Sequence, residues 1–289
     1  ECIRTAPLQS TTRHRQQASP ERIPSPVRSA VKTRQQFRVP AWLTPSRVRS
    51  VLAMVDQAIV SGTSFLTIVI VERACGSDGL GLFSLALSAV IFARGIQDSL
   101  ISTPFTVFRA RVAKRMHPAA YAGASLISSL TFAGILVLTT TLVAIAFNLV
   151  TASPEITTLV WVLVLTIPCA ILKEFARRFD MANQNMASAL SLDLGVSTLQ
   201  IGLMLTLATM GLLTPSLSLM LIGISCVLMV LGWIWVRKSS FRIQRKVVSE
   251  SVKTNWSLGR WLLVDQSVCF LQLYGMHWLL GLLIAPTAT

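Results

Sequence analysis

The sequence predicts an all-α, polytopic membrane protein, and three observations carry that prediction. Hydrophobic residues make up 53% of the 289 residues and charged residues only 13%, with a mean hydropathy of +0.63. Soluble domains usually contain about 25% charged residues. Seven apolar runs approach or exceed the roughly 20 residues that a helix needs to cross a bilayer. Finally, basic residues concentrate in alternate connections between these runs.

The seven runs define the predicted helices in chain order. They extend approximately from Val51 to Val71, Leu80 to Phe108, Ala119 to Phe147, Ile156 to Leu172, Ala187 to Leu213, Leu217 to Val236 and Trp261 to Ala285. Pro154 and Pro215 stand just before two of the runs, where the fixed φ of proline suits the first turn of a helix. The glycine-rich stretch 76–81 separates the first two runs and predicts a turn rather than a phosphate-binding loop.

Four regions follow from these runs. Residues 1–50 are rich in Arg, Gln, Ser, Thr and Pro and lack an apolar stretch, which predicts a disordered, basic cytoplasmic tail. Residues 51–236 form a first repeat of six membrane helices, and residues 237–260 form a basic cytoplasmic linker. Residues 261–289 contain the first helix of a second, truncated repeat.

The positions of the basic residues predict the orientation. Ten precede the first run, four follow the second, three follow the fourth and seven follow the sixth, which accounts for 24 of the 26 lysines and arginines. Short cytoplasmic loops accumulate Lys and Arg, so these connections and the N-terminus are predicted to be cytoplasmic. The net charge of +14 therefore has an explanation that involves no nucleic acid.

A short internal similarity predicts where the second repeat begins. Val55-Asp56-Gln57 and Val264-Asp265-Gln266 each open an apolar run after a basic segment, and the two aspartates are 209 residues apart. A tripeptide also recurs by chance in a chain of this length, so its context carries the weight. Six predicted helices separate the copies, and both therefore start on the same face. Parallel repeats of this kind place a substrate path between the two halves of a transporter.

Five charged residues fall inside the apolar runs, where an ionisable group is costly unless it pairs or faces water. They are Asp56, Arg94, Asp98, Asp193 and Asp265, and Gln57 and Gln266 accompany two of them. All lie in the predicted cytoplasmic half of the membrane. We expect them to line a hydrated path for the substrate, in which Arg94 attracts an anionic head group.

Alternative roles for these charges are open at this point. Arg94 and Asp98 are four residues apart on one helical face, so they are within reach of a mutually neutralising pair. Asp56 and Asp265 also suit the first turn of a helix, where the macrodipole favours acidic residues. Coupling to H⁺ or Na⁺ through Asp56 or Asp193 is a further alternative.

Enzymatic chemistry has no support in the sequence. The three histidines, His14, His117 and His277, lack the carboxylate or cysteine spacing of a metal site or catalytic triad. The five cysteines are scattered in the same way, so neither a metal nor a cofactor is predicted. The expected partners are instead membrane lipids and a lipid-linked substrate.

Three stretches together resemble a known family of transporters. They are Asp56-Gln57 in the first run, Gly79-Leu80-Gly81-Leu82-Phe83-Ser84-Leu85-Ala86 at the start of the second, and Lys173-Glu174-Phe175-Ala176-Arg177-Arg178-Phe179 after the fourth. Their order and placement resemble the O-antigen flippase type of polysaccharide exporter. This type belongs to the multidrug, oligosaccharidyl-lipid and polysaccharide (MOP) exporter superfamily.

The resemblance implies two six-helix halves that move lipid-linked oligosaccharides across the bacterial inner membrane by alternating access. The chain lacks most of the second half, so it is expected to be a fragment. A drug or cation antiporter of the same superfamily is an alternative, and it would require Asp56 or Asp193. A membrane-embedded glycan polymerase or ligase is a third, although such enzymes usually have a large polar external loop.

Overall fold

The computed structural model describes residues 45–112, 117–150 and 154–284, and these residues are helical apart from short turns. Most of the predicted N-terminal tail and the loop cations Lys114 and Arg115 lie outside the described residues. The elements are α1 (Pro45–Gln97), a π-helical turn (Asp98–Ser102), α2 (Thr103–Val112), α3 (Pro118–Val150), α4 (Pro154–Ala182), α5 (Met186–Thr209), α6 (Pro215–Arg237) and α7 (Arg245–Ile284). A short 3₁₀ turn (Lys238–Ser240) precedes α7.

Helix α1 is a hairpin that contains the first predicted run and most of the second. Its two arms, 45–75 and 77–97, meet at Gly76, whose φ of +73° is readily adopted only by glycine. Gly79 lies directly against the turn, because a Cβ atom added there would be 2.5 Å from Cβ of Cys75. Val71 and Phe83 then share one buried cluster, so the second arm folds back along the first. The glycine-rich stretch therefore forms the predicted turn.

The remainder of the second run passes through the π-helical turn into α2. The amide of Thr103 donates to the carbonyl of Asp98, which widens the helix by one residue. Pro104 follows immediately and has no N–H to continue the α-helical pattern. A π turn of this kind displaces the helix axis and re-aims the residues on either side of it.

Five helical stretches of the described chain are long and apolar enough to cross a membrane. The first, Arg47–Arg109, comprises both arms of α1 and the segment that follows, so it contains two of the predicted runs. Three of the other four stretches contain the third, fourth and sixth runs, and Met186–Thr209 contains the fifth except for its last residues, 210–213. The protein is thus an all-α, polytopic membrane protein, as its composition predicts.

Two helices extend further than the apolar runs that predicted them. Helix α4 was expected to end at Leu172 but continues to Ala182, so the basic residues assigned to a loop lie within it. Helix α7 begins at Arg245, and most of the predicted linker 237–260 is therefore helical. Neither extension has a glycine or proline near its start, so the helix is not interrupted there. A prediction from hydropathy alone ends a helix at its first charged residues.

The two ends of the bundle differ in character. At one end, which we call the turn end, a cavity of about 500 Å³ is lined by Asp78, Glu155 and Thr214 from three alternate connections. At the other end, the basic end, the aromatic residues Phe105, Tyr121, Phe175, Phe179, Trp233 and Phe241 pack together. The two arms of α1 and helices α3, α4, α5 and α6 run between these two ends.

Helix α7 packs against the second arm of α1 and the π turn. The ring centroids of Phe92 and Phe270 are 4.4 Å apart. Further along the two helices, Gly95 contacts Gln266 and Ser99 contacts Gly259. Residue numbers rise on one helix as they fall on the other, so the two are antiparallel. Helix α7 therefore runs in the same direction as the first arm of α1, and both begin at the basic end.

Candidate functional site

Four charged side chains of α4 form the centre of the candidate site. Lys173 and Arg177 are four residues apart, as are Glu174 and Arg178, so α4 presents them as two adjacent rows. The side chain of Glu174 is only 5% exposed and that of Arg177 only 12%. Pro168 lies one turn earlier inside the same helix. A charged segment this deeply enclosed requires partners on the neighbouring helices.

Arg177 joins α4 to two other helices at once. Its Nη2 atom lies 2.6 Å from Oδ2 of Asp56 on the first arm of α1, and its Nε atom lies 2.6 Å from Oδ2 of Asp193 on α5. Lys173 forms a second ion pair with Asp193. Asp56 and Asp193 are almost completely buried, so these contacts neutralise two carboxylates within the bundle.

Arg94 and Asp98 form the other half of the network, but they do not form the ion pair with each other that the sequence left open as an alternative. Arg94 Nη2 instead donates to Glu174 Oε2 at 2.5 Å, and Arg178 Nη2 donates to Asp98 Oδ2 at 3.0 Å. The reason is the facing helix α4. Its Glu174 and Arg178 have the same four-residue spacing, but the acidic residue comes first. Two cross-helix pairs therefore replace one pair along the helix.

The complete network contains four acidic and four basic side chains. They are Asp56, Asp98, Glu174 and Asp193 with Arg94, Lys173, Arg177 and Arg178. Such a group is tolerated at membrane depth because it is electrically balanced. Its exposure is uneven, since the side chains of Arg94 and Arg178 are 37% and 40% exposed. These two guanidinium groups form the accessible edge of an otherwise buried network.

A cavity of about 150 Å³ adjoins the network between the arms of α1 and helices α4, α5 and α6. Arg94, Lys173 and Asp193 line one part of it. Thr67 and Gln200 line another part, where Gln200 Nε2 donates to Thr67 Oγ1 at 2.8 Å. Two cations and one carboxylate line the charged part of the wall, and each of these cations is paired with a carboxylate of the balanced network.

The predicted site residues are only partly brought together. Asp56, Arg94, Asp98 and Asp193 share the network, and Arg94 and Asp193 also line the cavity. Gln57 and Asp265 are exposed and lie outside it. Gln266 is half-buried on α7, where its side chain occupies the space that a Cβ atom on Gly95 would need. A role of these residues in a substrate path stays a prediction.

Sequence reasoning missed the α4 half of the network. Lys173, Arg177 and Arg178 were counted as loop cations, and Glu174 was not considered as a membrane residue. A signal was present, because oppositely charged residues four apart are typical of a continuing helix. The residues between Cys169 and Ala182 also contain neither glycine nor proline.

No group of three His, Cys, Asp or Glu side chains that could hold a metal ion occurs among the described residues. The charged side chains of the site themselves form ion pairs and hydrogen bonds. Charge pairs of this kind form and break without covalent change, and they interact directly with an ionic ligand.

The fold is similar to that of a solved MOP superfamily transporter from Pyrococcus furiosus. The TM-score is 0.59 at 18% sequence identity, and the similarity covers 77% of this chain and 53% of the transporter. That transporter is described as having a binding pocket of reverse polarity, which suggests a different function for it. No family model and no curated protein matches the chain.

The similarity defines the class of fold. The chain is a multi-pass membrane protein with the helical arrangement of a MOP superfamily transporter, and it spans about half the length of the solved one. At this level of identity the relationship concerns architecture, while substrate and mechanism depend on the residues of the site.

Proposed function

We propose that this chain is part of a transporter that moves lipid-linked oligosaccharide or polysaccharide precursors across the bacterial cytoplasmic membrane. Transport occurs by alternating access of two helical halves, of which residues 51–236 form one. The N-terminus and the basic end are cytoplasmic in this proposal. The protein acts by binding and conformational change rather than by catalysis.

The accessible edge of the charged network is the observation that supports this substrate class best. Arg94 and Arg178 expose more than a third of their side chains, although each is paired with a carboxylate. An arginine binds phosphate oxygens through two parallel N–H donors, so it suits a diphosphate head group. Lys173 adds a second cationic donor to the cavity wall.

The arrangement also supplies a means of conformational switching. A phosphate that binds Arg94 or Arg178 competes with Glu174 or Asp98 for the same donors. Because Glu174 also contacts Arg177 and Arg178, it retains partners when Arg94 turns to a ligand. The network is therefore able to rearrange without leaving a buried charge unpaired.

Deletion of the gene tests the proposal. We expect lipid-linked glycan to accumulate on the cytoplasmic face of the membrane and surface polysaccharide to fall. Both pools are measured by extraction of lipid-linked glycans and by their accessibility to an impermeant glycosidase in oriented vesicles. Unchanged pools on both faces would remove this function.

Complementation of the deletion tests the site itself. Arg94→Gln is expected to lower the export rate about tenfold or more, because one charge-assisted contact to phosphate contributes about 1.5–3 kcal/mol. Arg109→Gln is the matched control, since Arg109 lies over the rings of Phe105 and Phe179 and does not line the cavity. Equal export by the two variants at equal abundance would exclude Arg94 from the path.

Water access to the second arm of α1 provides a direct physical test. Cysteine substitutions at positions 91–98, made in a variant without reactive native thiols, are expected to react with a membrane-impermeant thiol reagent around position 94. Uniform protection across these positions would exclude a hydrated path at this site.

A second candidate is an antiporter for organic cations or drugs. The observation that favours it is the placement of Asp193, a buried carboxylate in the cavity wall. In that case Asp193→Asn abolishes drug resistance and Arg94→Gln has little effect. If the protein exports glycans, Arg94→Gln has the larger effect and Asp193→Asn the smaller one. The same two variants therefore distinguish the two functions.

A further inference from the structure

A separate cavity of about 340 Å³ lies between the π turn, α3 and the first part of α7. Its wall is mostly carbon, supplied by residues that include Leu100, Ile127, Phe132, Val252 and Trp256. Its polar lining residues are Ser128, Thr131 and Asn255. A space with this lining suits a hydrocarbon chain rather than a polar solute.

The first part of α7 holds this cavity open. Ser251, Asn255 and Gly259 are buried and spaced four residues apart, so they form the face that packs on the bundle. Tyr121 Oη donates to Asn255 Oδ1 at 2.8 Å, which fixes α7 to α3. Small packing residues bring the helix backbones close along this face. The neighbouring face then borders a groove rather than a packed interface.

The outer side of the groove is apolar and exposed. Val252 and Trp256 are one turn apart on α7 and are 49% and 54% exposed. Trp235, near the end of α6 at the basic end, is also exposed, and Lys238 lies over its ring. Exposed tryptophans beside basic residues are typical of the level of the lipid head groups. The groove therefore opens toward lipid close to a head-group layer.

Unpaired positive charge surrounds this groove. The segment 237–260 contains seven basic residues and one acidic residue, Glu250. Among the described side chains, no carboxylate forms an ion pair with Arg245, Lys246 or Lys253. Arg245 lies three residues before Val248 and Lys253 three residues before Trp256, so each cation neighbours a cavity residue on the surface of α7.

We propose that this groove is a binding site for an anionic diacyl phospholipid. One acyl chain occupies the cavity between α3 and α7, and the phosphate lies beside Arg245 and Lys253. The bound lipid links the first part of α7 to the π turn and α3. This site is distinct from the charged network and does not depend on what the protein transports.

Charge rather than hydrocarbon sets the selectivity of such a site. An acyl chain leaves one apolar environment in the bilayer for another in the cavity, so chain burial favours all phospholipids alike. A basic residue near the surface attracts an anionic lipid by an amount equivalent to about fivefold in affinity. Two cations therefore predict a preference on the order of 25-fold for an anionic over a zwitterionic lipid.

Fluorescence quenching by brominated lipids tests the site in the complete chain. The protein is placed in nanodiscs of unlabelled phosphatidylcholine that contain rising fractions of dibrominated phosphatidylglycerol or dibrominated phosphatidylcholine. The difference between the wild type and Trp256→Phe isolates the signal of Trp256 from the other tryptophans. We expect half-maximal quenching of Trp256 at a roughly 25-fold lower fraction of phosphatidylglycerol than of phosphatidylcholine.

Matched variants assign the preference to these residues. Arg245→Gln combined with Lys253→Gln is expected to bring the ratio close to one. Arg47→Gln combined with Arg49→Gln removes the same charge elsewhere at the basic end and is expected to leave the ratio unchanged. Ser128→Leu, which fills the cavity, is expected to reduce quenching of Trp256 by both lipids.

Three results would overturn the proposal. Equal half-maximal fractions of the two lipids in the wild type would mean that only non-selective boundary lipid reaches Trp256, and this result needs no variant to fold. Loss of the preference in the Arg47 and Arg49 variant would assign it to overall charge. Unchanged quenching of Trp256 in the Ser128→Leu variant would mean that no acyl chain occupies the cavity.

Discussion

Helices α3 and α4 are two neighbouring membrane helices of nearly equal hydropathy that the fold uses in opposite ways. Helix α3 has 33 residues and α4 has 29, and the mean hydropathies of their most apolar 18-residue segments are 2.2 and 2.1. Yet 33% of this segment is buried in α4 and only 11% in α3. Apolar character therefore places both helices in the membrane but does not decide which one lies at the centre.

The polar residues decide which of the two helices lies at the centre of the bundle. Helix α4 carries Lys173, Glu174, Arg177 and Arg178, and each of these must be shielded from lipid by a partner on another helix. Helix α3 carries no charge and packs through a face of small residues that includes Ala120, Gly123, Ala124 and Ser125. Its large side chains, such as Leu138 and Leu142, are exposed on the other side. The difference separates two ways of joining membrane helices: ion pairing and close contact.

Removal of Arg177 should give the largest effect on stability. Arg177→Gln leaves Asp56 without its ion-pair partner and Asp193 with Lys173 alone. Breaking a buried ion pair from one side usually costs about 3–5 kcal/mol. We expect a loss of this size in the free energy of unfolding, measured by SDS titration in mixed micelles. Retention of the charge in Arg177→Lys should recover part of the loss.

A double variant distinguishes unpaired charge from lost packing. Asp56→Asn added to Arg177→Gln removes one of the carboxylates left behind, so part of the stability should return. A double variant less stable than Arg177→Gln alone would show that packing, and not charge, dominates at the centre of α4.

The contrast between the two helices also marks what the sequence predicts. Membrane helices, their order and the hairpin turn at Gly76 follow from hydropathy and from glycine, which act locally along the chain. Four of the seven predicted path residues do share one site, because buried charges require each other. The partners of Arg94 and Asp98 were not predictable in this way, since they depend on the rotation of α4 relative to α1. The end of α4 was misplaced because a hydropathy window treats a charge as an exit from the membrane.

A charge placed on the lipid side of α3 gives the next largest effect. Leu138 is 62% exposed, so the described helices leave it largely uncovered and a charge there without a nearby counter-ion. Leu138→Arg should therefore cost about 2.5–3.5 kcal/mol of membrane insertion, the usual penalty for arginine at the centre of a helix. A glycosylation-mapped insertion assay of the α3 segment measures it.

The matched substitution is Leu138→Gln, which is polar but uncharged and should cost less. Insertion of Leu138→Arg with wild-type efficiency would mean that a partner or water reaches this face, and α3 would then not be a lipid-facing helix.

Close contact along α3 is tested by a pair of glycines. A Cβ atom added at Gly123 would clash with the backbone carbonyl of Arg242, in the segment that leads into α7. A Cβ atom added at Gly134 would have no described atom within 4 Å beyond its chain neighbours and the backbone of its own helix. Alanine favours a helix over glycine by about 1 kcal/mol. Gly134→Ala should therefore raise the free energy of unfolding by up to that amount, while Gly123→Ala should lower it by about 1–3 kcal/mol because the backbone must move.

The same unfolding titration measures both glycine variants. Stabilisation by Gly123→Ala would mean that the chain before α7 yields easily, and contact would then contribute little to the position of α3.

The smallest effect is expected where α3 faces lipid with an ordinary apolar side chain. Leu142 is 58% exposed, so truncation in Leu142→Ala exchanges contacts with lipid for other contacts with lipid and should change the free energy of unfolding by no more than about 0.5 kcal/mol. Leu159 on α4 is 6% exposed and packs with Val71 and Phe83, so Leu159→Ala leaves a cavity and should cost about 2 kcal/mol or more. The difference between these two leucines isolates burial from residue type, because hydropathy assigns them the same value. Equal losses would mean that the exposed side of α3 contacts protein, and the division between a central and a peripheral helix would have to be redrawn.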